Sequence, residues 1–162
     1  MMKIGVIGLG NIAQKAYLPV MVEMQDEVEW HLCSRNREKL EAVGKKFGFQ
    51  HLYTSIEEWL DSGIEAAFVH VATVAHAEII RKLLERGISV YVDKPISDDP
   101  EETKELIELA DAKGLLLTAG FNRRFAPMVE RLKGIPDKKM ILIQKDRVKN
   151  VEPVRFAVYD LF

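Results

Sequence analysis

Apolar residues along the chain follow two patterns that take turns. Short, β-rich and continuously apolar runs occur at Lys3 to Ile7, Val28 to Cys33, Ala66 to Ala72, Ser89 to Val92 and Leu115 to Ala119, and His51 lies in a further short strand-like segment. Continuous apolarity, rather than alternation, predicts strands covered on both faces, as in a parallel sheet. Between the runs the spacing becomes helical: Leu40, Val43 and Phe47; then Ile79, Ile80, Leu83 and Leu84; then Leu106, Ile107 and Ala110. The third of these helices carries its own end signals. Asp99 is the expected N-cap, Pro100 the first helical residue, Glu101 and Glu102 complement the dipole, and Lys113 with Gly114 closes the last turn. Pro19 interrupts an earlier helical pattern that starts at Asn11. It lacks the N–H that pattern needs, so the helix is predicted to kink or restart there.

Strand and helix in alternation predict an α/β fold, a Rossmann-type doubly wound parallel sheet running to about Gly120, with ligands at the carboxyl ends of the strands. Residues 1–120 read as one domain. Beyond them the pattern changes to a helix over Arg124 to Lys133, a turn at Ile135-Pro136-Asp137 and an edge-like strand over Met140 to Val148. Residues 121–162 therefore read as the incomplete beginning of a second α/β domain. Met140, Ile141, Leu142 and Ile143 would make that strand apolar on both faces, an edge that invites pairing with a second copy. A homo-oligomer is expected, or disorder of the segment in a monomer.

Composition narrows the partners. The 162 residues carry 23 Lys and Arg against 25 Asp and Glu, a formal net charge of -2. That balance argues against nucleic acid and against an anionic membrane surface. The single cysteine, Cys33, cannot form an internal disulfide and reads as a small core residue, which suits a reducing, cytoplasmic location. The apolar stretch from Ile4 to Leu9 is too short and too Gly-interrupted for a signal peptide. Glu65, His70, His76 and Glu78 break the most apolar region below membrane-spanning length.

Gly8-Leu9-Gly10-Asn11-Ile12-Ala13 stands between the first strand and the first helix, where the dinucleotide fingerprint G-x-G-x-x-G/A belongs. Gly8 allows the tight turn, Gly10 lets backbone approach a pyrophosphate, and Ala13 permits close helix packing. The helix start at Asn11 and Ile12 supplies N–H donors. The second strand ends at Ser34-Arg35-Asn36, without the acid that usually meets the ribose hydroxyls of NAD. A hydroxyl, a guanidinium and an amide suit the 2′-phosphate of NADP instead. The alternative is that Asn36 caps the next helix and Arg35 is a solvated charge. Asp93-Lys94-Pro95 ends a strand, and Pro95 turns the chain so that Lys94 can reach the crevice and polarise a hydroxyl, or else remain a solvated strand-end lysine.

None of the four histidines pairs with another at the helical spacing of a zinc site, so no metal is expected. His31 and His70 fall within strands and His76 begins a helix. Asn122-Arg123-Arg124 between Phe121 and Phe125 is too short for a nucleic-acid patch, and an anion or cofactor contact fits it better.

These motifs together resemble the Gfo/Idh/MocA family of NAD(P)-dependent oxidoreductases. The resemblance rests on Gly8-Leu9-Gly10-Asn11-Ile12-Ala13, Ala72-Thr73 with His76, Asp93-Lys94-Pro95 where the family usually has Glu-Lys-Pro, and Gly120-Phe121-Asn122-Arg123-Arg124-Phe125-Ala126-Pro127. It implies hydride transfer between a nicotinamide and a sugar, polyol or related hydroxy or carbonyl compound. NADP is the expected cofactor, with NAD as the alternative. Thr73, His76, Asp93 and Arg123 join Gly8, Gly10, Asn11, Ile12, Ser34, Arg35 and Asn36 as cofactor-binding candidates, and Lys94 becomes a catalytic candidate. Tyr159-Asp160-Leu161-Phe162 resembles the start of the family's Asp-x-x-x-His motif, with Asp160 in the Asp position, but the histidine would come two residues past Phe162. The 162-residue chain alone is therefore expected to be inactive. The rival reading is a non-catalytic NADP-binding module, a redox sensor or partner domain. A third, an α/β interaction partner that takes no nucleotide, predicts no thermal shift with either cofactor.

Overall fold

The computed structural model describes residues 1–142 and 144. Parallel strands β1 (Met2–Ile7), β2 (Val28–Cys33), β3 (His51–Tyr53), β4 (Ala66–Val69), β5 (Ser89–Val92) and β6 (Leu117–Ala119) form one six-stranded sheet in the order β3-β2-β1-β4-β5-β6. The order reverses between β1 and β4, which is where doubly wound sheets open a ligand crevice. Helices α1 (Leu18–Glu23), α2 (Arg37–Phe47), α3 (Ile56–Leu60), α4 (His76–Glu85), α5 (Pro100–Lys113) and α6 (Pro127–Lys133) connect or follow the strands.

Side chains alternate across the sheet, so its central strands feed two cores. Val6, Trp30 and Leu32 pack with Leu18, Met21, Leu40 and Val43. Ile7, Cys33, Val69 and Val90 pack instead with Trp59, Ile80, Leu83 and Leu106. Gly5 belongs to the second face. A Cβ there would sit 2.4 Å from the Trp59 ring, so glycine lets the indole lie against β1 and donate from Nε1 to the His31 carbonyl at 2.8 Å.

Helix α5 has the predicted ends: Asp99 accepts from the amides of Glu101 and Glu102, and Gly114 closes it at φ 65°. The break at Pro19 takes the form of a π-helical turn, Ala13–Tyr17, before α1. That wider turn fits a residue that cannot donate and whose ring crowds the preceding carbonyls.

Other boundaries differ from the expectation. The strand expected to run to Ala72 stops at Val69, because the last bond between β4 and β1 is the one the His70 amide donates to the Ile7 carbonyl, after which β1 turns away at Gly8. Leu115 is spent on closing α5, its amide bonded to the Ala110 carbonyl, so β6 starts only at Leu117. The helix expected over Arg124 to Lys133 is two pieces, a 3₁₀ turn at Asn122–Phe125 and then α6. Pro127 explains the split, since it holds Ala126 extended (φ -64°, ψ 136°). Met140 to Leu142 form no strand. The rest of that expected strand, apart from Gln144, lies outside the described residues, as does Asp160. Helix α3 was not anticipated.

Candidate functional site

The loop after β1 is built on two glycines with different reasons to be glycine. Gly8 has φ +94°, and a Cβ would lie 2.5 Å from the His70 carbonyl carbon and the Val71 nitrogen. Its requirement is internal: the turn and the passage of the chain leaving β4. A Cβ on Gly10 would meet nothing within 4 Å, so nothing within that reach demands a glycine there. Open space at this point is what a pyrophosphate against the backbone needs. The helix then begins with the Gln14 amide bonded to the Gly10 carbonyl. Both Asn11 and Ile12, in its first turn, are exposed. Ala13 is fully buried, as close packing on the sheet requires.

At the end of β5 a polar network fixes Asp93. Tyr17 donates its hydroxyl to Oδ1 at 2.8 Å, and His70 Nδ1 lies 2.9 Å from Oδ2. A carboxylate only accepts, so Nδ1 carries the hydrogen. The Tyr17 ring stands over His70 with centroids 4.1 Å apart, and its hydroxyl is also 3.2 Å from that of Tyr91. Burial first, then the bonds to Tyr91 and Asp93, raise the Tyr17 pKa far above its usual value, which keeps the phenol a donor. Gly120 has a part in this: a Cβ there would be 2.5 Å from the Tyr91 hydroxyl. His70 Nε2 is buried without a partner. With the hydrogen on Nδ1 it is a bare acceptor, the cheaper kind of orphan.

His76, buried at the start of α4, points both ring nitrogens at backbone carbonyls, Nδ1 to Pro95 at 2.7 Å and Nε2 to Val71 at 3.1 Å. Neither nitrogen is left over for a ligand, and the ring ties the chain after β4 to the chain after β5. Thr73, 9% exposed, sits in the 3₁₀ turn Thr73–Ala75 between them. Lys94 follows Asp93 directly, joined to Pro95 by a cis peptide bond.

The end of β2 is more open. Ser34 is tied to β3 through its amide, bonded to the Tyr53 carbonyl, and its Oγ accepts from the Asn36 amide. Asn36 caps α2 by accepting from the Lys39 amide at 2.9 Å, the alternative considered for it. Arg35 is exposed. It lies near enough to α4 to help Lys82 hold the Glu78 carboxyl below its ordinary pKa. Arg123 is exposed in the 3₁₀ turn after β6. The strand ends thus bring together Gly8, Gly10, Ser34, Thr73, His76, Asp93 and Lys94. Tyr17 and His70 were not among the sequence candidates, although Tyr17 stands just before the helix-breaking Pro19. A third group lies elsewhere: Glu29, His31 and His51, whose ligating atoms all fall within 4.8 Å of one another.

Comparison with known proteins identifies the fold and the family. Residues 2–121 match the family described as "Oxidoreductase family, NAD-binding Rossmann fold". A Salmonella typhimurium relative that carries an oxidoreductase name, YceM, is 34% identical over 162 residues, 98% of this chain and 52% of that protein. A D-xylose 1-dehydrogenase (NADP(+)) of Haloferax volcanii is 28% identical over 80% of this chain and 40% of its own length. A solved Gfo/Idh/MocA family oxidoreductase from Vibrio cholerae superposes with a TM-score of 0.75 at 36% identity, covering 82% of this chain and 42% of that one. The chain spans about half the length of the first of these relatives and less of the others. Among the described residues no helix is long and apolar enough to cross a membrane. The chain belongs to the Gfo/Idh/MocA family of oxidoreductases, of which it carries the NAD-binding Rossmann fold.

Proposed function

We propose that this chain binds NADP(H) across the ends of β1, β2 and β4, and that within a complete protein it serves hydride transfer to or from a sugar, polyol or related hydroxy or carbonyl compound. The observation that carries the reading is the open backbone at Gly10 beside a Gly8 whose turn is sterically enforced. Bound there, the nicotinamide would supply the hydride chemistry at its C4. Amides at Asn11 and Ile12 would hold the pyrophosphate. Arg35, with Ser34 and Asn36, would meet the 2′-phosphate; capping by Asn36 engages only its Oδ1. Thr73 and Arg123 would line the cofactor path. Asp93 and His76 act through others: Asp93 is held from both oxygens and His76 holds Pro95, so between them they set where Lys94 starts. Lys94 would polarise the substrate oxygen.

Residues 121–162 begin a second domain in this reading. The absence of buried residues in the Asn122–Phe125 turn and in α6, with Phe125 72% and Met128 68% exposed, supports it. The proton of the substrate hydroxyl would pass to the histidine that the family motif expects after Asp160. Self-association through the exposed apolar segment accompanies this.

Calorimetric titration tests the cofactor reading. NADPH should bind more tightly than NADH, and Arg35→Ala should remove most of the difference, about ten- to over a hundredfold for a lost charge-assisted bond of ~1.5–3 kcal/mol. Equal affinity for both cofactors in the unaltered chain would refute the NADP assignment. In a protein carrying the whole second domain, Lys94→Ala should cost about 10²–10⁴-fold in turnover while cofactor affinity stays within a few fold.

A further inference from the structure

The strand register places a histidine pair beyond the reach of sequence spacing. His31 on β2 is the parallel partner of His51 on β3, and Glu29 precedes His31 by two residues, which puts both side chains on one face of β2. His31 Nε2 lies 2.8 Å from Glu29 Oε1, and His51 Nε2 lies 3.9 Å from the same oxygen. The two imidazoles are stacked, with centroids 4.6 Å apart and planes within 9°. Glu29 and His51 sit near the starts of their strands, whereas the dinucleotide crevice is at the strand ends.

We propose that Glu29, His31 and His51 form a binding site for a divalent transition-metal ion of the zinc, cobalt or nickel class at the β2–β3 edge of the sheet. Two imidazoles and a carboxylate are a donor set for such ions, whereas magnesium and calcium prefer oxygen alone. Tetrahedral ligands about 2.0–2.1 Å from a zinc ion stand roughly 3.3 Å from one another. Reaching that spacing takes an opening of the His31 contact, a closing of the His51 contact and, because an imidazole lone pair lies in the plane of its ring, a rotation of the 45% exposed His51 ring out of its stack on His31.

The surroundings suit the ion. His31 is an anchored ligand, its side chain 3% exposed and its Nδ1 3.0 Å from the Tyr53 hydroxyl. Glu29 can only accept, so His31 Nε2 now carries the hydrogen and Tyr53 donates to Nδ1. When Nε2 turns its lone pair to a metal, the hydrogen moves to Nδ1 and Tyr53 becomes the acceptor. This is the outer contact that orients metal-bound histidines, and the phenol serves either tautomer. Glu29 and His51 are 31% and 45% exposed, so an ion can enter and complete its shell with water. The competitor is Lys3, whose Nζ lies 3.6 Å from Glu29 Oε1. The ion would displace it and clip the three-residue edge strand β3 to β2.

Zinc chloride and cobalt(II) chloride titrated into the 162-residue chain test the proposal by calorimetry and by the visible spectrum of tetrahedral cobalt. Saturable binding of one ion is expected, with a metal-dependent rise in Tm. His51→Ala and Glu29→Gln should each weaken binding by more than about tenfold, and Lys3→Ala should tighten it. His51 is partly exposed, so His51→Gln offers a second variant of similar size, with circular dichroism and metal-free unfolding as the controls of fold. No saturable binding by the unaltered chain, or equal binding by the His51 and Glu29 variants, would overturn the site.

Discussion

The ends of β5 and β2 lie at the same carboxyl edge of the parallel sheet and are built in opposite ways. After β5, both oxygens of Asp93 are engaged by buried or half-buried donors from elsewhere in the chain, and Pro95 is held by His76. After β2, Ser34, Arg35 and Asn36 are bound mainly to their own neighbours, and Arg35 is exposed. The lesson is one of preorganisation. The end that would meet the reacting part of a cofactor is fixed by long-range contacts, while at the end that would choose between cofactors Asn36 serves only its own helix and Arg35 is free to differ without disturbing the fold.

The glycines give the largest expected effect. Gly8→Ala forces a Cβ into backbone at a positive φ and should cost more than about 3 kcal/mol in urea unfolding, whereas Gly10→Ala should leave stability within about 0.5 kcal/mol. Equal costs would erase the distinction between an internal and a ligand-facing glycine. Next comes the network at β5. Tyr17→Phe leaves Asp93 Oδ1 without its phenolic donor and should cost about 1–3 kcal/mol, while Arg35→Ala, at the open end, should cost less than about 0.5 kcal/mol. Urea unfolding of the two variants side by side would show whether the ends differ as described.

The smallest effect is on pH. Burial, the first cause, lowers the His31 pKa below 6.5 in the folded chain. The unfolded chain therefore binds the proton first on acidification, so the contribution is fully present above pH 6.5 and is lost as pH falls from there through the folded pKa. Glu29, whose pKa its bond to His31 lowers below 4.5, loses its contribution in the same direction at lower pH. Unfolding midpoints measured between pH 7.5 and 5.5 should fall for the unaltered chain and fall less for His31→Gln. A midpoint that rose on acidification would contradict the assignment.

Much of the fold was legible because the strands buried on both faces are continuous apolar runs and α5 announces both of its ends. Helix α3 was not, since five residues are too few to show a period, although Ser55 and Glu58 have the spacing of a capping box and the Ser55 hydroxyl does accept from the Glu58 amide. Within the site, Gly8, Gly10 and the Asp93-Lys94-Pro95 turn could be read because their chemistry is local. The grip of Tyr17 and His70 on Asp93 could not, because it depends on where a π-helical turn carries a side chain across the sheet. Nor could the meeting of His31 with His51, since register between two strands is not written in the spacing of either.

In the proposed complex a dinucleotide lies on the backbone between Gly8 and Ala13. Backbone amide NMR of the ¹⁵N-labelled chain during titration with NADPH tests it most directly. Saturable shifts are expected, concentrated at Gly10, Asn11, Ile12 and Ser34 to Asn36, all abolished in Gly10→Val while the spectrum elsewhere stays folded. Shifts that leave residues 8–13 untouched, or binding that survives Gly10→Val, would contradict it.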